Sequence, residues 1–294
     1  MKGLIITNQS IGHNQYKIDR FIPEFKKRGI DVEVFINNGT LAEIKSGNIV
    51  INLPKADFVL YLDKDIYLAR MLEKAGYRLF NNADFIKLCD DKVLTYIRCA
   101  NEGIRMIETI AGPLVYVDKL EEKNFEFLDQ VVDRLGLPLI VKKVYGSLGE
   151  GVYIAKNKEN LRDIYSEIYR NPLLFQKYIN TSNGRSIRVL VIDRKIVGAF
   201  ERYNPYDFRS NYGDKATSKK IENNTKITEF ATKIVQKLDI LYAGIDLLYD
   251  ENNELVLCEI NSNAFFEEFE KVTGVDVASL YVDMVIKEVN NEQK

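Results

Sequence analysis

Short apolar runs alternate with amphipathic segments through the first 85 residues of the chain. The apolar runs predict strands at residues 3–7, 31–36 and 58–62, and the amphipathic segments predict helices at residues 17–28 and 67–74. Alternation of strand and helix is typical of a parallel α/β sheet. We therefore expect residues 1–85 to form an N-terminal α/β domain.

The pattern changes twice along the rest of the chain. Helices predicted at residues 91–101, 126–135 and 161–169 alternate with short strands at 106–110, 139–144 and 152–155. Strands then dominate, at 173–179, 187–192, 195–201, 241–249 and 254–260, with helices at 226–238 and 275–289. This predicts a small α+β module over residues 86–174 and a larger one over 175–294, so the fold class is mixed α/β and α+β.

Composition narrows the class of protein. Hydrophobic residues make up 46% of the 294-residue chain, which excludes a disordered chain and allows a sizeable core. The net charge of -2, from 41 basic and 43 acidic residues, gives no bulk electrostatic reason to expect binding to nucleic acid or to an anionic membrane. No apolar run reaches the roughly 18 residues of a membrane span.

Cysteine and histidine content limits the chemistry further. Cys89, Cys99 and Cys258 are scattered without metal-ligand spacing and fit a reduced cytoplasm better than a disulfide framework. His13, the one histidine, follows the first predicted strand in a loop, where a residue without a role is the more typical case. Catalysis that depends on several histidines is therefore excluded.

Two acids interrupt the apolar runs of the predicted C-terminal hairpin. With the turn at residues 250–253, residues whose numbers sum to about 503 face each other, so Asp246 should lie opposite Leu257. Glu259 and Asn261 lie further along the same strand, and every second side chain shares a face. Diagonal cross-strand neighbours are roughly 7–8 Å apart, so these three oxygen-bearing side chains can share one or two hard cations. Mg²⁺ suits such ligands and also binds substrate phosphates.

A glycine loop over residues 146–151 separates two predicted strands. It contains Gly146, Ser147, Gly149 and Gly151 but is neither a Walker A loop nor a dinucleotide fingerprint, since no Lys-Ser/Thr pair follows and a strand comes next. Its backbone N–H groups can cover phosphates. The alternative is an ordinary glycine-rich hairpin.

Lysines and arginines on the predicted strands point to an anionic ligand. Lys142 and Lys143 alternate on the strand before the glycine loop, so one should point inward, unless both are solvated on an edge strand. Arg188 interrupts an apolar strand, Arg202 ends one and Arg209 lies in a polar loop. Phosphate or carboxylate suits the arginine fork. The alternative partner for each arginine is a neighbouring acid.

Taken in order, these pieces resemble the ATP-grasp superfamily and, within it, the RimK-type glutamate ligases. The order runs from Lys92 at a helix start through Lys142, the glycine loop and the strand Gln176-Lys177-Tyr178-Ile179 to the arginines and the acidic hairpin. The resemblance is clear from about residue 84 to residue 285. It is looser before residue 84, where the family has its own α/β (pre-ATP-grasp) domain. The resemblance implies an ATP-grasp fold.

The resemblance also implies a role for each matching residue. The residues that would contact ATP are Lys92, Lys142, Gly146, Ser147, Gly149, Gly151, Gln176, Lys177, Tyr178, Ile179 and Asn211. The residues that would bind two Mg²⁺ ions, for which Mn²⁺ can substitute, are Asp246, Glu259 and Asn261. The residues that would stabilise the transferring phosphoryl group or position the substrate are Arg188, Arg202 and Arg209. The glycine loop would act as a lid.

The implied activity is ATP-dependent ligation of a carboxylate to an amine through an acyl phosphate, with release of ADP and phosphate. The amine acceptor would be an amino acid, a peptide or a protein tail. Alternatives that remain open are a small-molecule kinase, a peptide-crosslinking ligase and a nucleotide-binding module without turnover. A homo-oligomer is also compatible with the sequence.

Two positions depart from the family pattern. Ser186 stands where the family usually has an acid that is thought to reach the ribose. Residues 262–266, Ser-Asn-Ala-Phe-Phe, replace the usual Ala-Ser-Pro-Gly. Because this second segment borders the acceptor pocket in the family, the resemblance predicts a substrate other than glutamate or a ribosomal protein.

Overall fold

The computed structural model describes residues 1–9, 11–213, 215–222 and 224–292. The strands are β1 (Lys2–Thr7), β2 (Asp31–Ile36), β3 (Ala42–Lys45), β4 (Asn48–Ile51), β5 (Phe58–Leu62), β6 (Leu79–Phe80), β7 (Thr109–Ala111), β8 (Leu139–Lys143), β9 (Val152–Ala155), β10 (Leu173–Lys177), β11 (Arg185–Ile192), β12 (Lys195–Tyr203), β13 (Thr217–Ile221), β14 (Tyr242–Tyr249) and β15 (Leu255–Asn261). The α-helices are α1 (Ile11–Lys27), α2 (Ile66–Lys74), α3 (Ala83–Asp90), α4 (Lys92–Cys99), α5 (Glu126–Leu135), α6 (Lys158–Ile168), α7 (Thr225–Leu238), α8 (Glu267–Thr273) and α9 (Val277–Glu292). Within these ranges no helix is long and apolar enough to cross a membrane.

Three larger sheets organise these elements. The first is parallel, in the order β2-β1-β5-β6, and matches the alternating pattern at the start of the chain. The second and third are antiparallel, in the orders β7-β10-β8-β9 and β13-β12-β11-β14-β15. A separate hairpin pairs β3 with β4. The predicted mixed α/β and α+β class is confirmed.

The hydrophobic cores show which helices pack against each sheet. One core joins Phe21 of α1 and Phe58 of β5 to Tyr281 and Val285 of α9, so the parallel sheet packs against the C-terminal helices. The rings of Phe21 and Tyr281 lie 5.0 Å apart between centroids. The small antiparallel sheet has a core of its own, in which α5 and α6 cover it around Tyr165.

An aspartate cap sets the start of the helix that carries Lys92. The Asp91 carboxylate accepts a hydrogen bond from Leu94 N at 3.0 Å, which satisfies one of the free N–H groups of a helix start. The helix predicted over residues 91–101 therefore begins one residue later. A separate helix, α3, precedes it and was not predicted.

The N-terminal helix begins earlier than predicted, at Ile11. Its buried face includes Asn14 and Lys17 as well as Ile18 and Phe21, and polar residues at buried positions hid the helical pattern. His13 therefore lies in a helix and not in a loop, and its side chain lies outside the described residues.

The register predicted for the acidic hairpin is wrong. Leu247, not Asp246, pairs with Leu257. A β-bulge follows, after which Asp246 pairs with Glu259 and Gly244 pairs with Asn261. An extra residue on one strand, here Cys258, shifts every later pair, and nothing in the hydrophobic pattern indicates it. The bulge places the two carboxylates directly opposite each other.

Candidate active site

A cavity of about 580 Å³, here called the central cavity, lies between the two antiparallel sheets. The predicted site residues that line it are Lys92, Lys142, Gly146, Ser147, Gly149, Gln176, Lys177, Tyr178, Ile179, Arg188, Arg202, Arg209, Asn211, Asp246, Glu259 and Asn261. Gly151 does not line it. At a φ of 69°, Gly151 turns the loop back into β9, and its carbonyl accepts a hydrogen bond from Lys143 N at 2.9 Å.

The acidic hairpin forms one wall of the cavity. Asn261 Nδ2 donates to Asp246 Oδ2 at 3.2 Å, so the side chains from β14 and β15 touch. Glu259 Oε1 lies 3.5 Å from Lys92 Nζ, which comes from the start of α4. Glu259 therefore brings the hairpin into contact with Lys92, which is distant from it in sequence.

Arg188 and Asp246 form a buried ion pair on this wall. Arg188 Nε and Nη2 donate to the two carboxylate oxygens of Asp246 at 2.6 and 2.8 Å. Burial alone would lower the pKa of Arg188, but the Asp246 carboxylate, helped by Glu259 and Glu268, offsets burial and the pKa is raised. The pKa of Arg202 is lowered instead, by burial and by the Arg188 guanidinium. Two neighbouring buried cations favour an anionic ligand.

Gly244 makes room for Arg188. A Cβ at this position would lie 2.7 Å from Arg188 Nη1 and 2.9 Å from Ala264 Cβ. Both distances are well inside van der Waals contact, so any side chain here would displace Arg188 or Ala264. This explains the glycine in the Gly244-Ile245-Asp246 motif.

The glycine loop is held from both sides of the cavity. Lys92 Nζ donates to Gly146 O at 3.0 Å, and Arg209 Nη1 donates to Gly149 O at 3.0 Å. Arg209 is itself positioned by Asp207, whose carboxylate accepts from its Nε and Nη2. Lys142 lies on β8, before the loop, with its Nζ 3.9 Å from Cys258 Sγ.

The strand at the other end of the cavity presents a free hydrogen-bond acceptor. Gln176, in β10, is 2% exposed, and its Nε2 donates to Thr109 Oγ1 at 2.9 Å. Its Oε1 is buried without a partner among the described residues. A buried carbonyl without a donor is costly, so this position favours a ligand with an N–H group, such as the amino group of adenine.

The residues present fit a nucleotide with its metal. The cavity volume lies in the range of small-molecule sites. No group of three or more His, Cys, Asp or Glu side chains that could hold a metal occurs among the described residues. Two carboxylates and one amide therefore leave coordination positions open, as suits Mg²⁺, which keeps waters and binds substrate phosphates.

Several cavity residues were not predicted from the sequence. Glu268 lies on α8, a short helix that was also missed, and its Oε2 is 3.2 Å from Arg202 Nε. Ser186, in place of the acid usual in the family, shares a hydrogen bond with Ser210 at 2.5 Å between the two Oγ atoms. Asn8 and Asn14 also line the cavity. Glu268, Asn8 and Asn14 carry no local signal, because they acquire neighbours only through tertiary packing, whereas Ser186 is marked in the sequence only as a departure from the family pattern.

The segment after β15 forms the wall beyond the arginines. Three successive backbone carbonyls each accept a hydrogen bond from a buried side chain, and the pairs are Ser262 O with Asn81 Nδ2 at 2.7 Å, Asn263 O with Lys17 Nζ at 3.0 Å, and Ala264 O with Tyr242 Oη at 2.7 Å. The wall is therefore fixed largely by side chains from the N-terminal α/β region.

The fold and the site together define the class of protein. A solved RimK-domain ATP-grasp protein from Sphaerobacter thermophilus matches with a TM-score of 0.73, covering 97% of this chain and 99% of that chain at 17% identity. At this identity the match shows the fold, and the predicted ATP-grasp fold is confirmed. The class, that of the ATP-grasp carboxylate–amine ligases, which use ATP and Mg²⁺, follows from the family match given next and confirms the predicted ligase class.

Sequence comparison gives the family within that class. The RimK-like ATP-grasp domain matches residues 89–285, and the chain belongs to this family. A Mycoplasma pneumoniae relative, called an uncharacterized MG012 homolog, is 35% identical over 76% of this chain and 78% of its own length. Human N-acetylaspartylglutamate synthase A is 30% identical over 79% of this chain and 58% of its own length.

Proposed function

We propose that this chain uses ATP to join a carboxylate substrate to a primary amine inside the central cavity. The observation that carries the proposal is that the acidic hairpin and the cations Lys92, Arg188 and Arg202 face one space. Phosphoryl transfer needs positioning and charge neutralisation more than acid–base groups. A metal-binding wall with phosphate-binding cations beside it would supply both.

ATP would lie with its adenine against β10 and its phosphates under the glycine loop. Gln176 Oε1 would accept a hydrogen bond from the adenine amino group, beside the backbone of residues 177–179. Lys92 and Lys142 would contact the phosphates, with the loop N–H groups and Asn211 above them. The hydrogen bonds from Lys92 and Arg209 to the loop support its role as a lid that excludes water.

The acidic hairpin would hold the metal. Asp246, Glu259 and Asn261 would each give an oxygen ligand, and phosphate oxygens and water would complete the coordination of two Mg²⁺ ions or of Mn²⁺ in their place. Bound there, the metal would neutralise charge on the phosphates. The ion pair between Asp246 and Arg188 would orient the Asp246 carboxylate before the metal binds.

The three arginines would stabilise the phosphoryl group as it passes to the carboxylate. Arg188 and Arg202 repel each other in a buried environment, and an anion between them relieves that repulsion. Arg209 would act from the opposite side, where it lies 3.4 Å from the centre of the Tyr212 ring. The amine would then attack the acyl phosphate and release phosphate.

The proposed domains follow one another along the chain. Residues 1–85 would form the N-terminal domain, residues 86–174 the small subdomain with the lid, and residues 175–294 the large subdomain with the metal site. An amino acid is the favoured amine, with a peptide or protein tail as the alternative, since the human relative is named for N-acetylaspartylglutamate. The reaction would take place in the cytoplasm, in a monomer or a homo-oligomer.

The test is a screen of carboxylate and amine pairs for release of ADP and phosphate, followed by the mass of the product. We expect an amide and free phosphate. A phosphate ester formed without phosphate release would replace the ligase with a kinase. Asp246→Ala with Glu259→Ala should abolish turnover, whereas Glu251→Ala, on the exposed turn of the same hairpin, should not. Wild-type turnover in the double variant would exclude the metal assignment.

A further inference from the structure

The central cavity reaches the end of β1, where two asparagine side chains line it. Asn8 follows β1 directly, and Asn14 lies in the first turn of α1 and is 1% exposed. The Oδ1 atoms of both are buried and accept no hydrogen bond within the described part of the chain. A buried carbonyl left without a donor costs about 1–3 kcal/mol. This end of the cavity therefore favours a ligand that supplies N–H groups.

Hydrogen-bond chemistry fixes the direction of the Asn14 amide. Its Nδ2 donates to Leu62 O at 2.8 Å and to Thr7 Oγ1 at 2.9 Å. Because the carbonyl of Leu62 can only accept, the amide nitrogen must face it and Oδ1 must point away. Thr7 immediately precedes Asn8, and both asparagines line the cavity.

A buried cation lies close to Asn14 on the same helix. Lys17 lies one turn after Asn14 on the same face of α1, is 2% exposed, and donates to Asn263 O at 3.0 Å and Oδ1 at 2.5 Å. Burial and the Arg188 guanidinium lower the pKa of Lys17 to about 7. An ammonium group bound beside Lys17 would be repelled by the same cations, which would make it lose its proton more readily than in water.

Resting on the ligase function proposed above, we infer that Asn8 and Asn14 form the amine subsite, in which their Oδ1 atoms accept hydrogen bonds from the N–H groups of the substrate amine. Neutral carbonyls orient the nitrogen without the negative charge that would keep it an ammonium ion. The carboxylate substrate is drawn instead to Arg188 and Arg202, so charge separates the two substrates.

The subsite serves the second half of the reaction. The lone pair of the neutral amine forms the new C–N bond to the acyl carbon. The bond between the acyl carbon and the oxygen that bridges to phosphorus breaks, and its electron pair leaves with the phosphate. The excess proton on the nitrogen passes to the departing phosphate or to water. No oxidant, reductant or further reactant is needed.

The experiment measures the amine and carboxylate steps separately. Wild type first receives ATP, Mg²⁺, each carboxylate of a panel and excess hydroxylamine, a small nucleophile that traps an acyl phosphate as a hydroxamate. The amine is then whichever of the common L-amino acids the wild type ligates fastest. The variants are Asn8→Ala and Asn14→Ser. The matched control is Gln9→Ala, an exposed neighbour that does not line the cavity.

We expect Asn8→Ala to raise the KM of the amine about tenfold, the loss of one buried hydrogen bond, with a much smaller effect on the KM of the carboxylate and on hydroxamate formation. An unchanged amine KM, or a rise in the carboxylate KM alone, overturns the subsite while the ligase function stands. Absence of hydroxamate with every carboxylate overturns the ligase function and the subsite with it. If Asn14→Ser fails to fold, Asn8→Ala, which changes only a loop residue, decides the result.

Discussion

Replacing Asp246 with asparagine removes the negative charge that the buried Arg188 guanidinium faces. Arg188 is 7% exposed and donates to both oxygens of that carboxylate, and Arg202 Nη1 lies 3.7 Å from the same group. Breaking a buried ion pair by neutralising one partner costs about 3–5 kcal/mol. We therefore expect Asp246→Asn to lower the free energy of unfolding by about 3 kcal/mol or more.

The assay is urea unfolding followed by far-UV circular dichroism, since the chain has no tryptophan to report by fluorescence. The matched control is Asp84→Asn, which breaks a 2.6 Å ion pair to Arg70 on the surface, where the Asp84 side chain is 83% exposed. An exposed pair contributes about 1 kcal/mol or less. If the two variants differ by less than about 0.5 kcal/mol, the burial argument fails.

Three further outcomes follow from the same geometry. Gly244→Ala should lower kcat at least about tenfold by displacing Arg188, whereas Gly12→Ala, with open space around it, should leave kcat unchanged. Gln176→Leu should reduce the preference for ATP over GTP, measured by kcat/KM, about tenfold. The pKa of Lys17 is lowered to about 7, so from pH 7 to pH 10 the unfolded chain binds a proton that the folded chain lacks. Wild type should therefore gain about 1 kcal/mol per pH unit over Lys17→Met on urea unfolding, and a flat difference would contradict this.

The sequence pattern predicts the acidic hairpin because charged residues in apolar strands are rare without a function. Asp246 and Glu259 could be found in this way, whereas the bulge at Cys258 could not, since its cause is the path of the strand in three dimensions. The same limit applies to Asn8 and Asn14. An asparagine in a loop or first turn is ordinary, and only the packed structure leaves its carbonyl without a donor.

Helix boundaries show a similar limit. The start of α4 at Lys92 depends on the Asp91 cap. This signal is present in the sequence, but the acidic residue just before Asp91 is a competing candidate for the cap. The early start of α1 could not be predicted, because the polar residues Asn14 and Lys17 occupy its buried face. Both lie in or beside the candidate site, where functional polar residues occupy buried positions that apolar residues would otherwise fill.

The wall after β15 has a consequence for recombination between relatives. Its carbonyls at Ser262 and Asn263 are held by Asn81 and Lys17, which lie about 180 and 246 positions earlier in the chain. A crossover anywhere between residue 85 and residue 260 would separate the segment from the donors that shape it. The shape of this wall is therefore inherited as two distant pieces, and the segment transplanted alone would lack the side chains that hold it.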